Sequence, residues 1–183
     1  VYGQPNIYAL FMAVSAALLK KGGQFIFITP RSFASGFYFK RFREYFFKVI
    51  RPNHVHLFDS RRDGFRKDGV LQEMIILKGI RHDHWYNNST TQKSSVRISV
   101  SPSVKELNRS ETADFDAEAL LDMSSQMKVL CLPKNRDEER LVERILSWPG
   151  SFKQYGLCIS TGPVVAFRAS RLLSCDAEAP DDA

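Results

Sequence analysis

Four histidines stand as two H-x-H pairs, His54/His56 and His82/His84. On a strand, residues i and i+2 point to one face, so either pair could offer two nitrogens to a metal ion. Beyond Asp59 near the first pair and Asp83 inside the second, no further ligand is close in sequence. Structural zinc wants four ligands at characteristic spacing, so no metal site is expected. Nucleophilic catalysis has no better footing. G-x-S-x-G does not occur, and none of Cys131, Cys158 and Cys175 lies near a histidine in sequence. No two glycines stand at G-x-G spacing, which removes both the dinucleotide fingerprint and the phosphate loop.

The remaining chemistry is basic and aromatic. Arg61, Arg62, Arg66 and Lys67 surround Gly64 and Phe65, in a segment read as a loop. The formal net charge is +6, and residues 40–67 alone hold nine basic and three acidic residues, so that window accounts for the whole excess. A local basic surface attracts polyanions through counterion release, and nucleic acid is the expected partner. Charge runs are more often solvated helix faces, but a phenylalanine among these charges has little local core to join. Pro30-Arg31-Ser32-Phe33 follows a buried strand, at the carboxyl end where open α/β sheets bind ligands. Arg31 and Ser32 are therefore candidates to face a substrate cleft. Equally, Ser32 caps a helix and Arg31 is solvated. Thr161 and Gly162 either approach a DNA backbone or make a tight turn.

The elements that must position these residues alternate in period. Residues 6–20 place Ile7, Leu10, Phe11, Val14 and Leu18 at helical spacing, with Asn6 as N-cap and Gly22 as a stop. That spacing predicts an amphipathic helix with this stripe in the core. Gln24 to Thr29 is an almost continuous apolar run ended by Pro30, the pattern of a strand buried on both faces. Residues 37–49 return to helical spacing through Phe39, Phe42, Phe46 and Val49. His54 to Phe58 and Val70 to Leu77 read as strands joined by the basic loop, which makes an α/β sheet. Residues 81–115 are polar, with one strand-like alternation at Val96, Ile98 and Val100. A helix over Asp137 to Leu146 is capped by Asn135, and Trp148-Pro149-Gly150 breaks it. After it, Gly156 to Phe167 reads as a strand, a turn and a strand, and the tail from Asp176 should fray.

The 183 residues carry 44% hydrophobic and 25% charged content, 10 glycines and 8 prolines, which excludes collagenous and disordered classes. Lys20, Lys21, Gly22 and Gly23 interrupt the best apolar run, so no membrane partner is expected. No leader pattern opens the chain at Val1, and three cysteines without a C-x-x-C pair fit reduced thiols. The expected location is cytoplasmic.

Four blocks carry a family resemblance. N-I-Y-A-L-F (Asn6 to Phe11), L-L-K-K-G-G-Q-F-I-F-I-T-P-R-S-F (Leu18 to Phe33), F-K-R-F-R (Phe39 to Arg43) and the run from Leu57 to Leu77 agree in order and spacing with one family. Over roughly residues 4–79 the chain resembles the later half of the catalytic domain of adenine-specific DNA methyltransferases from bacterial restriction-modification systems. Gly156 to Arg168 is similar to the segment entering that family's target-recognition part.

The resemblance implies a partial, doubly wound Rossmann-like methyltransferase sheet with an antiparallel last strand. It also implies S-adenosylmethionine as cofactor and double-stranded DNA as partner. Phe11 matches the aromatic packed on the cofactor's adenine, and Phe65 the aromatic stacked on the flipped-out target adenine. A neutral aromatic face holds a base without reading it, and a base in a duplex must leave the stack to be methylated. Arg31, Ser32, Arg61, Arg62, Arg66, Lys67 and Thr161 are the candidate DNA-facing residues, and the +6 stretch is expected to border the cleft.

The family's glycine-rich cofactor loop and N/D-P-P-Y motif do not occur in these residues, and chain order puts both upstream of Val1. The partners implied are therefore the missing N-terminal half of the catalytic domain and the rest of the specificity region. The expected organisation is residues 1–80 as catalytic half-domain, 81–134 as connector or extension, 135–173 as the start of target recognition, and 174–183 as tail. Competing expectations are a non-catalytic nucleic-acid-binding remnant that uses the loop 61–67, and a structural α/β domain of another doubly wound enzyme.

Overall fold

The run QFIFITP forms the strand β1 (Gln24–Pro30), ended by a residue that has no N–H for a sheet ladder. The computed structural model describes residues 6–60, 72–87, 94–123, 125–150 and 152–158. Ahead of β1 lies the helix α1 (Ile7–Leu18). After it come α2 (Lys40–Val49), β2 (Ile50–Phe58), β3 (Met74–Arg81), β4 (Ser95–Ser101), β5 (Glu111–Asp116), the short α3 (Ala117–Leu120) and α4 (Arg136–Leu146).

The sheet runs in the order β1-β3-β2-β4-β5. β3 is antiparallel to β1 on one side and to β2 on the other, so β1 and β2 are parallel to each other. β4 continues parallel to β2, and β5 closes the edge antiparallel to β4. The antiparallel strand expected after the basic loop is thus present, wedged between two parallel ones. It spans Met74–Arg81 rather than Val70 to Leu77, and Val70 itself lies outside the described residues. β5 falls in a stretch read as polar. Asp114 and Asp116 alternate to the face opposite the buried Phe115, and Asp114 pairs with Arg97 of β4 across the strands.

One face of the sheet carries Phe25, Val55, Leu57, Ile75, Leu77, Val96 and Ile98, which join Met12 and Ala16 of α1 and Phe46 and Phe47 of α2 in the core. Phe25 meets Phe46 edge-on at 5.1 Å between centroids. The other face carries Ile26, Ile28, Ile76, Lys78, His54, His56, Arg97, Ser99 and Asp114, by the register of the four pairings.

The orientation of α1 corrects the sequence reading. Ala9, Met12 and Ala16 are its buried residues, and the stripe Ile7, Leu10, Phe11, Val14 and Leu18 is exposed. The helix IYALFMAVSAAL has no charged residue on any face, so periodicity could not select the buried one. Asn6 stands at the N-cap without a side-chain cap bond. Arg81 at the end of β3 holds the other terminus, donating from Nη1 to the carbonyls of Ala16, Ala17 and Leu19.

Gly79 of β3 sits where β2 shifts register between Pro52 and His54. A Cβ there would stand 2.6 Å from Ile50 Cγ2 and 2.9 Å from the Arg51 carbonyl oxygen. Because Ile50 is fully buried, it has nowhere to move. Gly79→Ala is expected to cost about 2–3 kcal/mol in urea unfolding, an overpacking effect.

The chain divides into two compact units, residues 1–146 and 147–183. The helix α4 therefore closes the first unit. In the second, the described residues form a turn in which Leu157 N–H donates to the Phe152 carbonyl at 2.8 Å. Among the described residues no helix is long and apolar enough to cross a membrane.

Candidate nucleic-acid cleft

The carboxyl ends of the parallel strands β1 and β2 converge on one edge of the sheet. Pro30 leads there into a 3-10 turn, Arg31–Ala34. Phe58 leads into Asp59 and Ser60, whose N–H groups donate to the carbonyls of Ser101 and Pro102 at the end of β4. The chain returns from the basic loop at Gln72 and Glu73, before β3 begins at Met74. Both feet of that loop therefore stand beside Arg31, where the carboxyl ends of an open α/β sheet form the ligand crevice.

A cavity of about 190 Å³ occupies this spot, lined by Arg31, Leu57, Phe58, Asp59, Glu73, Met74, Ile75 and Lys134. Arg31 pairs with Glu73 at 3.5 Å, and Lys134 pairs with Asp59. Each foot of the loop is thus held by one cation, and the cavity's four charges cancel. On the other side of Arg31 a wider hollow of about 400 Å³ is lined by Ala34, the residues Val129 to Pro133, and Leu141 and Val142 of α4. Asn135 Oδ1 accepts from the Glu138 N–H at 2.9 Å, the N-cap expected for α4.

The first turn of α1 reaches the same edge. Tyr8 Oη lies 2.8 Å from Ser32 Oγ, and the Tyr8 ring stacks on Phe39 at 5.6 Å. Burial raises the Tyr8 phenol above its ordinary pKa, although its hydrogen bonds to Ser32 and Phe33 act the other way. Phe11, about one helical turn beyond Tyr8, is 62% exposed. Phe11, Arg31 and Ser32 therefore gather at one end of the sheet, Ser32 hydrogen-bonded and Arg31 paired. Phe65, Arg61, Arg62, Arg66, Lys67 and Thr161 lie outside the described residues. Lys134 and Tyr8 carried no sequence signal, since each is brought in by tertiary packing.

The basic window does not form one surface, which corrects the expectation that all of it borders the cleft. Arg43 is fully buried, Arg51 starts β2 at the end away from the cavity, and Lys48 pairs with Glu44 on α2. Sequence proximity grouped charges that the helix and strand then send apart.

In the first histidine pair three of the four ring nitrogens are engaged by serine hydroxyls. His54 and His56 do share a face of β2, but Ser99 Oγ lies 2.8 Å from His54 Nε2 and 2.6 Å from His56 Nδ1. Ser101 Oγ lies 2.9 Å from His56 Nε2. His82 and His84 follow the end of β3, and His84 has φ 56°, so they do not alternate on a strand. Among the described residues no group of three or more His, Cys, Asp or Glu could hold a metal ion. Cys131 is half-buried and its thiol pKa is raised by burial, the opposite of an activated nucleophile.

Residues 1–65 match the family described as Eco57I restriction-modification methylase. Over 171 residues the chain is 31% identical to the type II methyltransferase M.PstI of Providencia stuartii, covering 93% of this chain and 32% of that protein. It is a relative of restriction-modification DNA methyltransferases. The type II methyltransferase M.BsuBI of Bacillus subtilis is 32% identical over 168 residues, covering 92% of this chain and 32% of its own length. The family resemblance read from the four blocks is thereby borne out, and the chain spans about a third of the curated relatives it matches. In fold it is similar to the type IIG restriction endonuclease BpuSI, with TM-score 0.50 and 16% identity over 70% of this chain and 16% of that one. The five-stranded mixed sheet is accordingly part of a Rossmann-like methyltransferase fold.

Proposed function

We propose that this chain is the later part of the catalytic domain of an adenine-specific DNA methyltransferase, followed by the start of its target-recognition region. The parent enzyme transfers a methyl group from S-adenosylmethionine to the exocyclic amine of a flipped adenine in double-stranded DNA. The 183 residues alone do not catalyse transfer.

The observation that carries this reading is the state of β1. Among the described residues it pairs on one edge only, with β3. Apolar side chains flank its free edge on both faces of the sheet: Ile26 and Ile28, 58% and 67% exposed, on one, and the outward stripe of α1 on the other. A strand edge flanked by apolar surface is a template for another strand. The relatives are about three times as long as the stretch they share with this chain, which is ample length to supply it.

In this reading residues 1–80 complete the catalytic sheet, 81–134 extend it, 135–173 begin target recognition, and 174–183 are a tail. Phe65 stacks on the flipped adenine, and Arg61, Arg62, Arg66 and Lys67 neutralise phosphates around it, with Arg31, Ser32 and Thr161 at the DNA-facing rim. S-adenosylmethionine supplies an electrophilic methyl on a sulfonium. Of a site for it, the described residues offer one side: the exposed Phe11 ring, a flat apolar face for an adenine. No G-x-G loop or N/D-P-P-Y string is present to grip the methionine end or align the amine, so the chemical step needs residues from elsewhere.

The test is complementation. Purified alone, the chain is expected to transfer no radiolabelled methyl to DNA. Co-expressed with the portion of a relative that carries the G-x-G loop and N/D-P-P-Y motif, it is expected to leave N6-methyladenine in host DNA. Transfer by the chain alone overturns the claim of inactivity, and methylcytosine in place of methyladenine overturns the adenine assignment.

A further inference from the structure

The segment between β1 and α2 makes an unusual investment in two side chains that touch little. Phe37 and Tyr38 are 69% and 75% exposed, on a 3-10 turn spanning Phe37–Phe39. Their rings meet edge-on at 6.1 Å. Exposed aromatics on a loose loop would be unremarkable, but this turn is rigidly held. The Arg43 guanidinium, buried beneath it, donates from Nη1 to the carbonyls of Phe33 and Gly36, both at 2.8 Å. Gly36 N–H donates to the Ser32 carbonyl and Phe39 N–H to the Gly36 carbonyl. Gly36 is needed for this close approach, since a Cβ there would lie 2.8 Å from the Ser32 carbonyl oxygen. A surface fixed in advance binds without the entropy of ordering.

Charge indicates what the surface meets. Residues 1–43 contain six cations and no carboxylate, Glu44 being the first acid in the chain. Lys40 and Arg41 open α2 immediately after the aromatic turn, and the first turn of that helix has no acidic residue. The helix dipole favours the reverse arrangement, so two cations there are locally unfavourable and an anionic partner would relieve them. An apolar protein segment laid over Phe37 and Tyr38 would have to desolvate both cations. The turn also follows Arg31–Ala34 directly, at the end of β1 on which the cleft opens.

We infer that Phe37 and Tyr38, with Lys40 and Arg41, form a second DNA-contacting element, distinct from the loop 61–67. The aromatic pair stacks on bases exposed where the duplex is opened at one nucleotide, and the two cations take the flanking phosphates. This rests on the proposal that the chain belongs to a DNA-acting enzyme, and it adds residues to that surface. Base stacking on aromatic rings tolerates any sequence, so the element would grip opened DNA without choosing the site.

The test measures binding of the full chain by fluorescence anisotropy at low salt, with a labelled perfect duplex and the same duplex carrying one abasic position. Phe37→Ala/Tyr38→Ala is expected to weaken binding to the abasic duplex by about ten-fold or more, in line with the loss of base stacking, while binding to the perfect duplex stays within about two-fold. Tyr38→Phe is expected to retain binding. Lys40→Gln/Arg41→Gln is expected to weaken binding to both duplexes alike and to reduce the slope of log affinity against log salt by about 2. Phe37, Tyr38 and Arg41 are exposed and Lys40 is partly buried, so circular dichroism and thermal melts unchanged from the wild type accompany each result. Abasic-duplex binding at wild-type strength in the aromatic variant overturns the inference, and so does equal weakening for both duplexes. No DNA binding by the wild-type chain at low salt would instead sink the proposed function itself, and the inference with it.

Discussion

Replacing Arg43 by methionine is expected to destabilise the first unit by about 3–5 kcal/mol, read as a drop in the urea midpoint with an unchanged m-value. The guanidinium is fully buried, and it makes four hydrogen bonds to three carbonyls. Two bonds go from Nε and Nη2 to the Met127 carbonyl, and two from Nη1 to those of Phe33 and Gly36. Burial pushes its pKa below the ordinary arginine value, the mark of a charge taken out of water. Methionine fills much of the volume and removes that desolvation penalty, but it takes the donor from the Phe33 and Met127 carbonyls, at about 1–3 kcal/mol each, and leaves that of Gly36 with the Phe39 N–H alone. Lysine keeps the charge and loses the planar fork, so Arg43→Lys is expected to recover less than half of the loss. A midpoint change worth less than about 1 kcal/mol would mean that water reaches all three carbonyls, and the buried fork would not be what fixes the turn after β1.

Arg43 also marks where sequence reasoning stopped. In the sequence it is one basic residue of a +6 window, at a position that reads as the solvated side of an amphipathic helix. Its burial depends on carbonyls 7, 10 and 84 residues away in the chain. Nothing local announces a partner at that separation. The same holds for Lys134 on Asp59, and for Ser99 between the two histidines. What was legible had a local cause. The strand β1 ended by proline, the alternation of Val96 and Ile98 on β4, and the Asn135 cap of α4 each follow from spacing alone. The burial on both faces expected of the β1 run does not hold, since Ile26 and Ile28 are exposed.

The orientation of α1 failed for a different reason. Ile7, Leu10, Phe11, Val14 and Leu18 make a good core stripe on paper, and the helix nevertheless packs through Ala9, Met12 and Ala16. A helix with no charged face carries two apolar stripes, and the small-residue one permits the closer approach to the sheet and α2. The surplus stripe sits beside the free edge of β1. The family resemblance marks Phe11, but only geometry separates it from a core residue. β5 escaped notice because a strand with a solvated face can be half acidic.

Lowering the pH from 8 to 5 is expected to destabilise the sheet through His54 and His56. Burial disfavours the charged form of both rings, so at pH 8 each is a neutral imidazole with one donor and one acceptor nitrogen. Ser101 Oγ donates to the Ser103 carbonyl at 3.1 Å, so it accepts from His56 Nε2–H. His56 Nδ1 is then a lone pair that takes the Ser99 hydroxyl proton, and Ser99 Oγ accepts in turn from His54 Nε2–H. Protonating His56 at Nδ1 sets two donors against each other across 2.6 Å and severs this seam between the parallel strands β2 and β4.

Both histidines sit below their ordinary pKa. For His54 the causes are burial, then the positive charges of Arg97 on β4 and Lys78 on β3, with Asp114 on β5 partly opposing them. For His56 they are burial and then His54 itself. A depressed pKa in the folded state means that the unfolded chain binds more protons between that value and about 6.5. The contribution is therefore complete above about pH 6.5 and is lost as the pH falls below it. Asp114, held below the usual carboxylate range mainly by its Arg97 hydrogen bond, acts in a lower window, beneath about pH 4, and leaves the interval from 8 to 5 to the histidines. Urea midpoints across that interval should drop on the acid side in the wild type and flatten in His56→Gln, which removes the central titrating ring. A wild-type midpoint that stays level down to pH 5.5 would show that Ser99 can reorient to accept both protonated rings, so that the seam survives acid.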